Sequence, residues 1–488
     1  MMSELPLKTH NSQANESQNI TQLPFEEFRD LVVKEIQTGA RVVCFWGHPN
    51  SNKTVTLIMV LAYDQEGYLT TFSTVVENSY PSLTVQIPQV HLFEREIFEQ
   101  WGVRPEGHPW LKPIRIVPAV TNFLKLHGGE IHEVAVGPVH AGIIEPGHFR
   151  FQCHGEQVFH LEISLGYQHR GIEKALIGGP DKRTSHYMET LAGDTTIGHS
   201  LAYSQAIEGL SNCNVSLRVS ALRAIMLELE RLANHTGDLG ALAGDIGYLP
   251  TSSYCGRLRG DFLNMSALIC GNRFGRNMIR PGGVMFDVNA GMIKELKTRL
   301  TNVFSDVKNA VSLLWSSPLV VDRFDEIGII TKQTALELGL VGVAARASGI
   351  ERDVRFDFPT GAFRFSQIPL STYSSGDVFA RAFVRWLEIQ RSVTFVLDQL
   401  NSLPAGEISI PVPPIKRDNM LISLVEGWRG EICHIVLTDK NGNINQYKIV
   451  DPSFHNWMGL AVALRGEEIS DFPICNKSFN LSYCGHDL

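Results

Sequence analysis

The alternation of hydrophobic and polar positions divides the chain into a short strand-rich part and a long helix-rich part. Between Pro24 and Thr38, apolar residues recur at helical spacing, and the proline suits a first helical turn because its missing N–H is not needed there. Three strand-like runs follow: Val42–Trp46, Val55–Tyr63 and Leu69–Val75. The Asp64–Gly67 stretch favours a hairpin turn. These elements predict a small α/β domain over residues 22–117.

The apolar spacing from residue 200 to residue 400 is predominantly helical. One stripe consists of Leu222, Ile225, Met226, Leu229, Leu232 and Ala233. A second consists of Phe379, Ala382, Phe383, Trp386, Ile389, Val393 and Val396. Helices with one broad apolar face pack into a bundle core. Strand-like runs return at 432–437 and 444–449, on either side of a hairpin turn at Lys440–Asn443.

The N-terminal segment and the segment between the two predicted domains are polar. Residues 1–21 predict a disordered tail, and residues 118–134 predict a linker with a docking segment. Residues 135–488 then form the second domain. The pattern predicts an α+β protein, in which the small N-terminal α/β domain is fused to a mainly helical domain with peripheral β hairpins.

Composition narrows the functional classes. The chain has 488 residues, 44% of them hydrophobic and 19% charged, which is typical of a soluble globular protein. Its formal charge of -8 argues against a nucleic-acid partner. The longest apolar run, Val55–Tyr63, is too short to cross a bilayer, and residues 1–20 lack the apolar stretch of a signal peptide. We therefore expect a cytosolic protein that reaches any membrane through partner proteins.

The cysteines do not predict a metal site. They are Cys44, Cys153, Cys213, Cys255, Cys270, Cys433, Cys475 and Cys484. No two of them are spaced as C-x-x-C, and in a reducing compartment we expect free, buried thiols. An iron–sulfur cluster or zinc ion bound by this chain alone is therefore not expected.

Several segments resemble one protein family. They are Phe93–Ile116, Val136–Phe151, Leu165–Lys174, Gly198–Leu210, Asn272–Val284 and Gly342–Pro359. Their motifs include Glu-Arg-Glu with Gly-His-Pro, His-Arg-Gly-x-Glu-Lys, Arg-Pro-Gly-Gly and Arg-x-Ser-Gly. The set resembles the family of the complex I quinone-site subunit and the nickel–iron hydrogenase large subunits. It is most similar to the formate-hydrogenlyase type, in which the small complex I subunit is fused ahead of a hydrogenase-large-subunit-like domain.

The resemblance also identifies what the chain lacks. A nickel–iron centre needs four thiolates, two from each end of the subunit. The matching positions hold Ala192, Thr195, Ser482 and Gly485, while Cys484 lies one residue off. None of the four supplies a thiolate, so we expect neither a nickel–iron site nor hydrogen activation.

The resemblance implies that the emptied cavity serves a quinone. A quinone carbonyl needs a hydrogen-bond or proton donor as charge develops on it. His140, Asp194 and Asp245 are expected to line the cavity, with Thr195 as a polar neighbour. The tyrosine that complex I uses here falls on Gly193.

Glu145 has two interpretations. In hydrogenases a glutamate beside a Gly-His pair passes protons to the metal site, and Glu145, ahead of Pro146-Gly147-His148, matches it. The alternative is a loop carboxylate that accepts hydrogen bonds from nearby backbone amides.

His169 and Arg170 are the expected contact with a partner's cofactor. The resemblance implies that they face the iron–sulfur cluster of a small partner subunit, where an arginine stabilises the reduced cluster. The alternative is a surface pair with Glu173, which contributes little. Leu242 stands where complex I has a histidine that contacts this cluster.

A dense charged set lies near residue 350. It comprises Arg346, Arg352, Asp353, Arg355 and Asp357. Buried charges are costly unless paired, so the set is either a solvated loop or a paired network. The resemblance favours the network.

Two functions are consistent with these features. The first is a peripheral subunit on the cytoplasmic side of the inner membrane. It would pass electrons from a partner's iron–sulfur cluster to a quinone-like acceptor, and segment 346–357 would couple this to antiporter-like, ion-translocating membrane subunits. The second is a non-catalytic scaffold that bridges the iron–sulfur subunit and the membrane module. No Gly-rich phosphate loop follows a strand, so any NAD dependence belongs to other subunits.

Overall fold

The computed structural model describes residues 6–116, 123–141 and 144–488. The strands in these ranges are β1 (Leu7–Thr9), β2 (Ala14–Glu16), β3 (Thr21–Gln22), β4 (Arg41–Pro49), β5 (Val55–Tyr63), β6 (Tyr68–Val76), β7 (Ser79–Pro81), β8 (Arg104–Glu106), β9 (Ile131–Val136), β10 (His148–His154), β11 (Gln157–Ser164), β12 (Ile279–Arg280), β13 (Gly283–Val284), β14 (Asn419–Glu426), β15 (Glu431–Thr438) and β16 (Ile444–Val450).

The α-helices in the same ranges are α1 (Phe25–Gln37), α2 (His91–Trp101), α3 (Ile172–Ala175), α4 (Thr184–Glu189), α5 (Thr196–Ser211), α6 (Leu217–Asp245), α7 (Leu249–Cys270), α8 (Ala290–Ser316), α9 (Pro318–Phe324), α10 (Lys332–Leu338), α11 (Gly342–Ala347), α12 (Val354–Asp357), α13 (Val378–Asn401), α14 (Pro452–Ala463), α15 (Phe472–Phe479) and α16 (Tyr483–His486). Short 3₁₀ turns lie at Ser17–Asn19, Pro88–Val90, Gly361–Arg364 and Ile469–Asp471.

The N-terminal sheet has the order β1-β6-β5-β4, and β3 runs parallel to β6 at its side. Helix α1 lies on this sheet and buries Phe28 and Val32 completely. The β5–β6 hairpin closes with Tyr63 opposite Tyr68, so the turn falls where its Asp and Gly residues predict it. The predicted helix and the three predicted strands are confirmed.

Residues 6–22, the N-terminal clasp, join two sheets. Strand β1 pairs with β6, whereas β2 pairs with β14 of a second sheet, which has the order β16-β15-β14-β2. Between them, the Asn11 amide donates to the carbonyls of Phe358 (2.9 Å) and Leu424 (3.0 Å), and its oxygen accepts from the Leu424 amide (2.8 Å). The prediction of a disordered tail is wrong for residues 6–21, because their polar groups complete the hydrogen bonding of distant backbone.

The predicted linker, 118–134, is only partly described. Residues 117–122 lie outside the described residues. Its last four residues belong to β9, the edge strand of a three-stranded sheet with the order β11-β10-β9.

The helical part packs around α6, which contacts α7, α13 and α5. The predicted stripe from Leu222 to Ala233 is buried in this core, together with apolar residues of α7, α8 and α13. Helix α5 lies between α6 and strands β14 and β15, and it is buried on nearly every side. A helix enclosed in this way needs no polar face. The predicted α+β class is confirmed.

Buried charges connect the two parts of the chain. Arg41 on β4 donates to Glu431 on β15 (2.5 Å) and to Asp64 after β5 (2.9 Å). Lys448 on β16 pairs with Glu96 on α2 (2.6 Å). The apolar residues of the N-terminal sheet and those of β14–β16 form one hydrophobic cluster around these pairs.

The charged set near residue 350 is a paired network. Arg346 donates to Glu388 (2.7 Å) and Glu426 (2.7 Å), and Arg355 donates to Asp353 (2.6 Å). Arg346, Asp353 and Arg355 are almost completely buried together with their partners Glu388 and Glu426. The other two members of the predicted set are half-buried: Arg352 pairs with Asp64 (2.6 Å), and Asp357 accepts from the Asp353 amide (2.9 Å). The interpretation as a network is confirmed, and the alternative of a solvated loop is wrong.

Candidate functional site

The two segments that match the metal-binding ends of hydrogenases meet in the folded chain. Arg429, in the turn between β14 and β15, donates to the Asp194 carboxylate at 2.6 and 2.9 Å and to the Thr195 hydroxyl at 3.1 Å. Its Nε donates to the Asn480 carbonyl at 2.5 Å. One guanidinium thus links segment 192–195 to segment 480–487, and we name this region the Asp194–Arg429 junction.

Backbone contacts fix the geometry of the junction. The Asp194 carbonyl accepts from the Trp428 indole N–H (3.0 Å) and from the Asn234 amide (3.0 Å). The Arg429 guanidinium lies over the Trp428 ring, 3.9 Å from its centroid. Burial disfavours the ionised form of Asp194, but the guanidinium outweighs burial and lowers the pKa of that carboxyl. The result is a half-buried carboxylate with an oriented cation beside it.

The four former ligand positions do not fit a nickel–iron centre. Ala192 is buried and apolar, Thr195 is engaged by Arg429, and the Ser482 hydroxyl caps α16 by accepting from the Gly485 amide (3.0 Å). A Cβ at Gly485 would lie 2.6 Å from the carboxyl carbon of Asp451. The last position therefore has no room for a cysteine side chain.

Arrangements of side chains that could bind a metal ion are also absent from the rest of the described chain. Within the described ranges, no group of three or more His, Cys, Asp or Glu side chains is arranged to hold a metal ion. Cys484 lies 3.4 Å from the Ser482 hydroxyl, and burial raises the pKa of its thiol to about 11. The thiol is therefore protonated at neutral pH and a poor ligand.

Glu145 reaches the junction from the loop before β10. Its carboxylate accepts from the Tyr483 amide at 2.9 Å, so this loop is tied to the segment that carries Ser482 and Cys484. Gly147 allows the close approach, because a Cβ there would lie 2.6 Å from the Tyr483 ring. The capping interpretation describes this contact, and the proton-passing interpretation of Glu145 stays a prediction.

His140 and Asp245 do not join the junction directly. The His140 ring bonds to the Gly147 carbonyl at 2.8 Å within its own loop. Asp245 is the exposed last residue of α6. Within the described part of the chain, neither residue has a hydrogen bond or ion pair with Asp194 or Thr195. Of the predicted cavity residues, the structure brings together Asp194 and Thr195, with Glu145 close by.

His169 and Arg170 lie on the surface before α3. Arg170 donates to the carbonyls of Thr190 and Leu191, both at 2.9 Å, and so holds the backbone that leads into the junction. The His169 ring bonds to the Asp487 carbonyl at 3.1 Å. Glu173 instead pairs with Lys448 on β16, so the alternative of a surface pair with Glu173 is wrong.

Glu230 is a carboxyl at the junction that the sequence analysis missed. It projects from α6 and accepts from the amides of Ile197 (2.7 Å) and Gly198 (3.2 Å) at the N-terminus of α5. Burial raises the pKa of Glu230 to about 8, although these amides act in the opposite direction and Asp194 adds to the rise. Glu230 therefore holds a proton at neutral pH.

A buried hydrogen-bonded chain ends beside the junction. His199 contacts Asp451 (3.1 Å) and His434 (3.1 Å), and His434 contacts the Tyr447 hydroxyl (2.8 Å). All donors and acceptors match if Tyr447 donates to His434, His434 to His199, and His199 to Asp451. Burial and the neighbouring His199 lower the pKa of His434, so that imidazole is neutral. The arrangement can pass protons along one direction toward Asp451.

A signal in the sequence could have identified part of this site. Helix α6 carries Glu228, Glu230, Arg231, Asn234 and His235 within an otherwise apolar stretch, and all five side chains are buried. Charged residues are rarely buried unless they are paired or functional, so such a run inside a predicted core helix indicates a polar site.

Family comparisons agree with this architecture. The family model described as "Respiratory-chain NADH dehydrogenase, 30 Kd subunit" matches residues 21–122. The model described as "Respiratory-chain NADH dehydrogenase, 49 Kd subunit" matches residues 245–420. The first match covers α1 and strands β3–β6 of the N-terminal sheet, and the second covers α7, α8, α13 and the charged segment 346–357.

Known relatives include both hydrogenase-type and complex I proteins. Hydrogenase-4 component G of Escherichia coli (strain K12) is 28% identical over 437 residues, which cover 83% of this chain and 75% of the relative. Formate hydrogenlyase subunit 5 of the same strain is 28% identical over 438 residues, which cover 83% and 76%. NADH-quinone oxidoreductase subunit 4 of Thermus thermophilus is 29% identical over 369 residues, which cover 70% and 90%.

In the described ranges, every helix is too short or too polar to cross a bilayer. The two family models match successive parts of this one chain, and none of the four positions that resemble metal-ligand positions holds a cysteine. The chain is therefore similar to the large subunits of complex I and of energy-converting hydrogenases, with a 30-kDa-like and a 49-kDa-like region in one polypeptide.

Proposed function

We propose that this chain is a peripheral-arm subunit of a membrane-bound, complex-I-like oxidoreductase. It receives electrons from an iron–sulfur cluster of a small partner subunit and passes them to a quinone-like acceptor at the Asp194–Arg429 junction. Antiporter-like membrane subunits use the event to move ions, and any NAD chemistry takes place on other subunits. The names of the relatives, which are NADH-quinone oxidoreductase and membrane-bound hydrogenase subunits, support this assignment.

The observation that carries the proposal is the Arg429 guanidinium, held by Asp194 and Thr195 where hydrogenases bind metal. Reduction of a quinone adds two electrons and two protons, and negative charge develops on a carbonyl oxygen. A fixed cationic donor stabilises such charge most effectively in a site that excludes water. Asp194 keeps the Arg429 guanidinium oriented. Arg170 holds the carbonyls of Thr190 and Leu191, which precede Asp194 in the chain. In this proposal Arg170 also faces the partner subunit.

Glu230, behind Thr195, is the proton source at the junction. The Glu145 carboxylate, which accepts from the Tyr483 amide, passes on the second proton in this proposal. The buried chain from Tyr447 to Asp451 can restore protons to segment 482–485, because Asp451 lies against Gly485. His140 and Asp245 act from the edge of the site in this proposal.

The test is quinone reduction by the purified complex. We compare the wild type with Asp194→Asn, Arg429→Gln and His140→Ala, and use the exposed Glu351→Gln as the control. Loss of the guanidinium donor is expected to lower the rate about 100-fold, with assembly checked by co-purification. Wild-type reduction that all three variants retain would exclude the junction as the acceptor site.

A second function is favoured by a specific observation. Arg429 spans the space between segments 192–195 and 480–487, and Gly193 stands where complex I has its tyrosine. A junction closed in this way suits a non-catalytic scaffold that bridges the iron–sulfur subunit and the membrane module. An assembled wild-type complex that moves ions but cannot reduce any quinone would establish this alternative.

A further inference from the structure

A cluster of charges lies in the core between α6, α11, α12, α13 and the end of β14. Its carboxyl groups are Glu228, Asp353, Glu388 and Glu426, its guanidinium groups are Arg231, Arg346 and Arg355, and its imidazole is His235. Each of these side chains is at most 5% exposed. The cluster is separate from the junction, and three of its members, Arg346, Asp353 and Arg355, belong to segment 346–357, for which the sequence predicts a coupling role without a chemical step.

The charges of this cluster do not cancel. Four ionised carboxylates against three guanidinium groups leave one negative charge when the imidazole is neutral. An uncompensated charge is costly in the low-dielectric interior, so the cluster is most stable when it binds one additional proton.

Two of the carboxylates are well compensated. Glu228 contacts Arg231 (3.1 Å) and Arg355 (3.0 Å), and it also accepts from a serine hydroxyl. Glu388 contacts Arg231 (3.2 Å), Arg346 (2.7 Å) and the His235 ring. Each has two guanidinium partners, which favour the ionised form.

The other two carboxyl groups differ from each other. Asp353 contacts Arg355 (2.6 Å) and Arg346 (3.6 Å), so it also has two cations. Among the described residues Glu426 has one ion pair, with Arg346 (2.7 Å), while Arg355 and Arg231 act on it from farther away. Its second oxygen accepts from the Val354 amide (3.2 Å). Glu426 is thus the carboxyl that binds the proton most readily. Burial and the nearby Asp353 raise the pKa of Glu426 to about 7.

His235 is a poorer place for the proton. Its Nε2 contacts Glu388 at 2.8 Å, whereas its Nδ1 has no partner among the described residues. An imidazolium would bury an N–H without an acceptor, and burial lowers the pKa of this ring. Two further carboxyl groups lie close to the cluster. Glu431, the cross-strand neighbour of Glu426, is paired with Arg41. Asp357 on α12 accepts from the Asp353 amide (2.9 Å), and burial raises its pKa to about 7.

Solvent approaches Glu426 from one side. A small cavity of about 10 Å³ is bounded by Glu426, Arg355 and apolar neighbours. Leu201, Thr360 and Phe363 line this cavity and also line an open cavity of about 990 Å³. These three residues are shared by the two cavities, and the smaller volume approaches the space that one water needs.

We propose that the cluster is a proton-binding site, which takes up one proton at Glu426 from the open cavity beside Thr360. The site titrates near neutral pH, so the charge of the core between α6 and α13 depends on the proton activity at that cavity. This inference does not depend on a quinone-like acceptor.

Infrared spectroscopy of the purified full chain tests the proposal. The carbonyl-stretch band of a protonated carboxylic acid is followed as the pH rises through neutrality, in the wild type, in Glu426→Gln and in the exposed control Glu351→Gln. The wild type minus Glu426→Gln difference is expected to contain one carboxyl that loses its proton near neutral pH, and the control is expected to match the wild type. A difference spectrum without this band would overturn the proposal.

The charge count itself has a separate test. In Glu388→Gln the cluster has three carboxylates and three guanidinium groups, so the Glu426 midpoint is expected to fall by about one pH unit or more. If Glu388→Gln does not fold, Asp353→Asn replaces it, and the same fall of the Glu426 midpoint is expected. An unchanged midpoint in a folded variant would show that Glu426 titrates alone and that the one-proton count is wrong.

Discussion

Gly485 and Asp451 illustrate how single residues decide the chemistry of the junction. The Asp451 carboxylate is fixed by the His199 ring and by the Ser453 amide (2.8 Å), so it cannot move aside easily. A thiolate at position 485 would compete for the same space. Restoring the four cysteines would therefore not restore a metal site unless Asp451 also moved.

We expect Gly485→Ala to lower the free energy of unfolding by about 2 kcal/mol, because the added methyl overlaps a fixed carboxylate. Denaturant unfolding of the full chain measures this. Gly193→Ala is the matched control, since nothing lies within 4 Å of a Cβ at Gly193 in the same junction. Equal stability of the two variants would contradict the steric argument.

Glu426 makes a pH prediction at the same scale. Its folded pKa of about 7 is above the unfolded value, so its contribution to stability is complete in acid and is lost as the pH rises to about 7. Relative to Glu426→Gln, which does not titrate, the wild type is expected to lose about 3 kcal/mol between pH about 4 and pH about 7. Parallel stability curves for the two proteins would contradict the raised pKa.

At the scale of elements, the N-terminal clasp does most to join distant parts of the chain. It supplies β1 to one sheet and β2 to another, and Asn11 completes the hydrogen bonding of backbone near α12 and β14 between them. The same strand, β14, leads into the turn that carries Arg429. A loss of the contacts between the N-terminal clasp and β14 is therefore expected to disturb the position of Arg429 at the junction.

Asn11→Ala is expected to cost about 2 kcal/mol of stability, because it leaves buried carbonyl and amide groups without partners. Thermal unfolding and hydrogen exchange of β14 measure the effect. Asn19→Ala, at an exposed position of the same clasp, is expected to behave like the wild type. Unchanged exchange in β14 of the Asn11 variant would mean that the clasp is not needed there.

At the scale of the whole molecule, buried ion pairs make the two family domains one unit. Arg41 and Lys448 each connect a residue of the N-terminal domain with the C-terminal β-sheet. Buried pairs are screened little by salt, unlike the surface pairs of the helical domain. The domains are thus expected to unfold in one transition, although they match separate families.

Arg41→Met is expected to lower the free energy of unfolding by about 3 kcal/mol, because it leaves Glu431 buried without its cation and removes one of the two cations of Asp64, which keeps Arg352. Arg104→Met removes an exposed pair with Glu106 and is expected to have no measurable effect. Denaturant unfolding at low and high salt compares them. A salt-sensitive loss in the Arg41 variant would argue that this pair is solvated.

The sequence predicts what depends on neighbours along the chain and misses what depends on distant partners. Helix α1 and strands β4–β6 follow from local periodicity. The absence of cysteines at positions 192, 195, 482 and 485 can be read directly from the sequence. Arg429 has no local signature, because its role comes from Asp194 and Asn480 in remote segments. The clasp was missed for the same reason, since its polar composition resembles a disordered tail until β14 is placed beside it.

The clasp also has a consequence for synthesis on the ribosome. Ala14 pairs with Leu421, so the early residues of β2 wait for a strand that is translated some 400 residues later. Until then the backbone of β2 stays unpaired, and an unpaired strand is prone to wrong pairing. Pairing of β2 with β14 is therefore a late step, and β2 would stay unpaired in a nascent chain that stalls before β14.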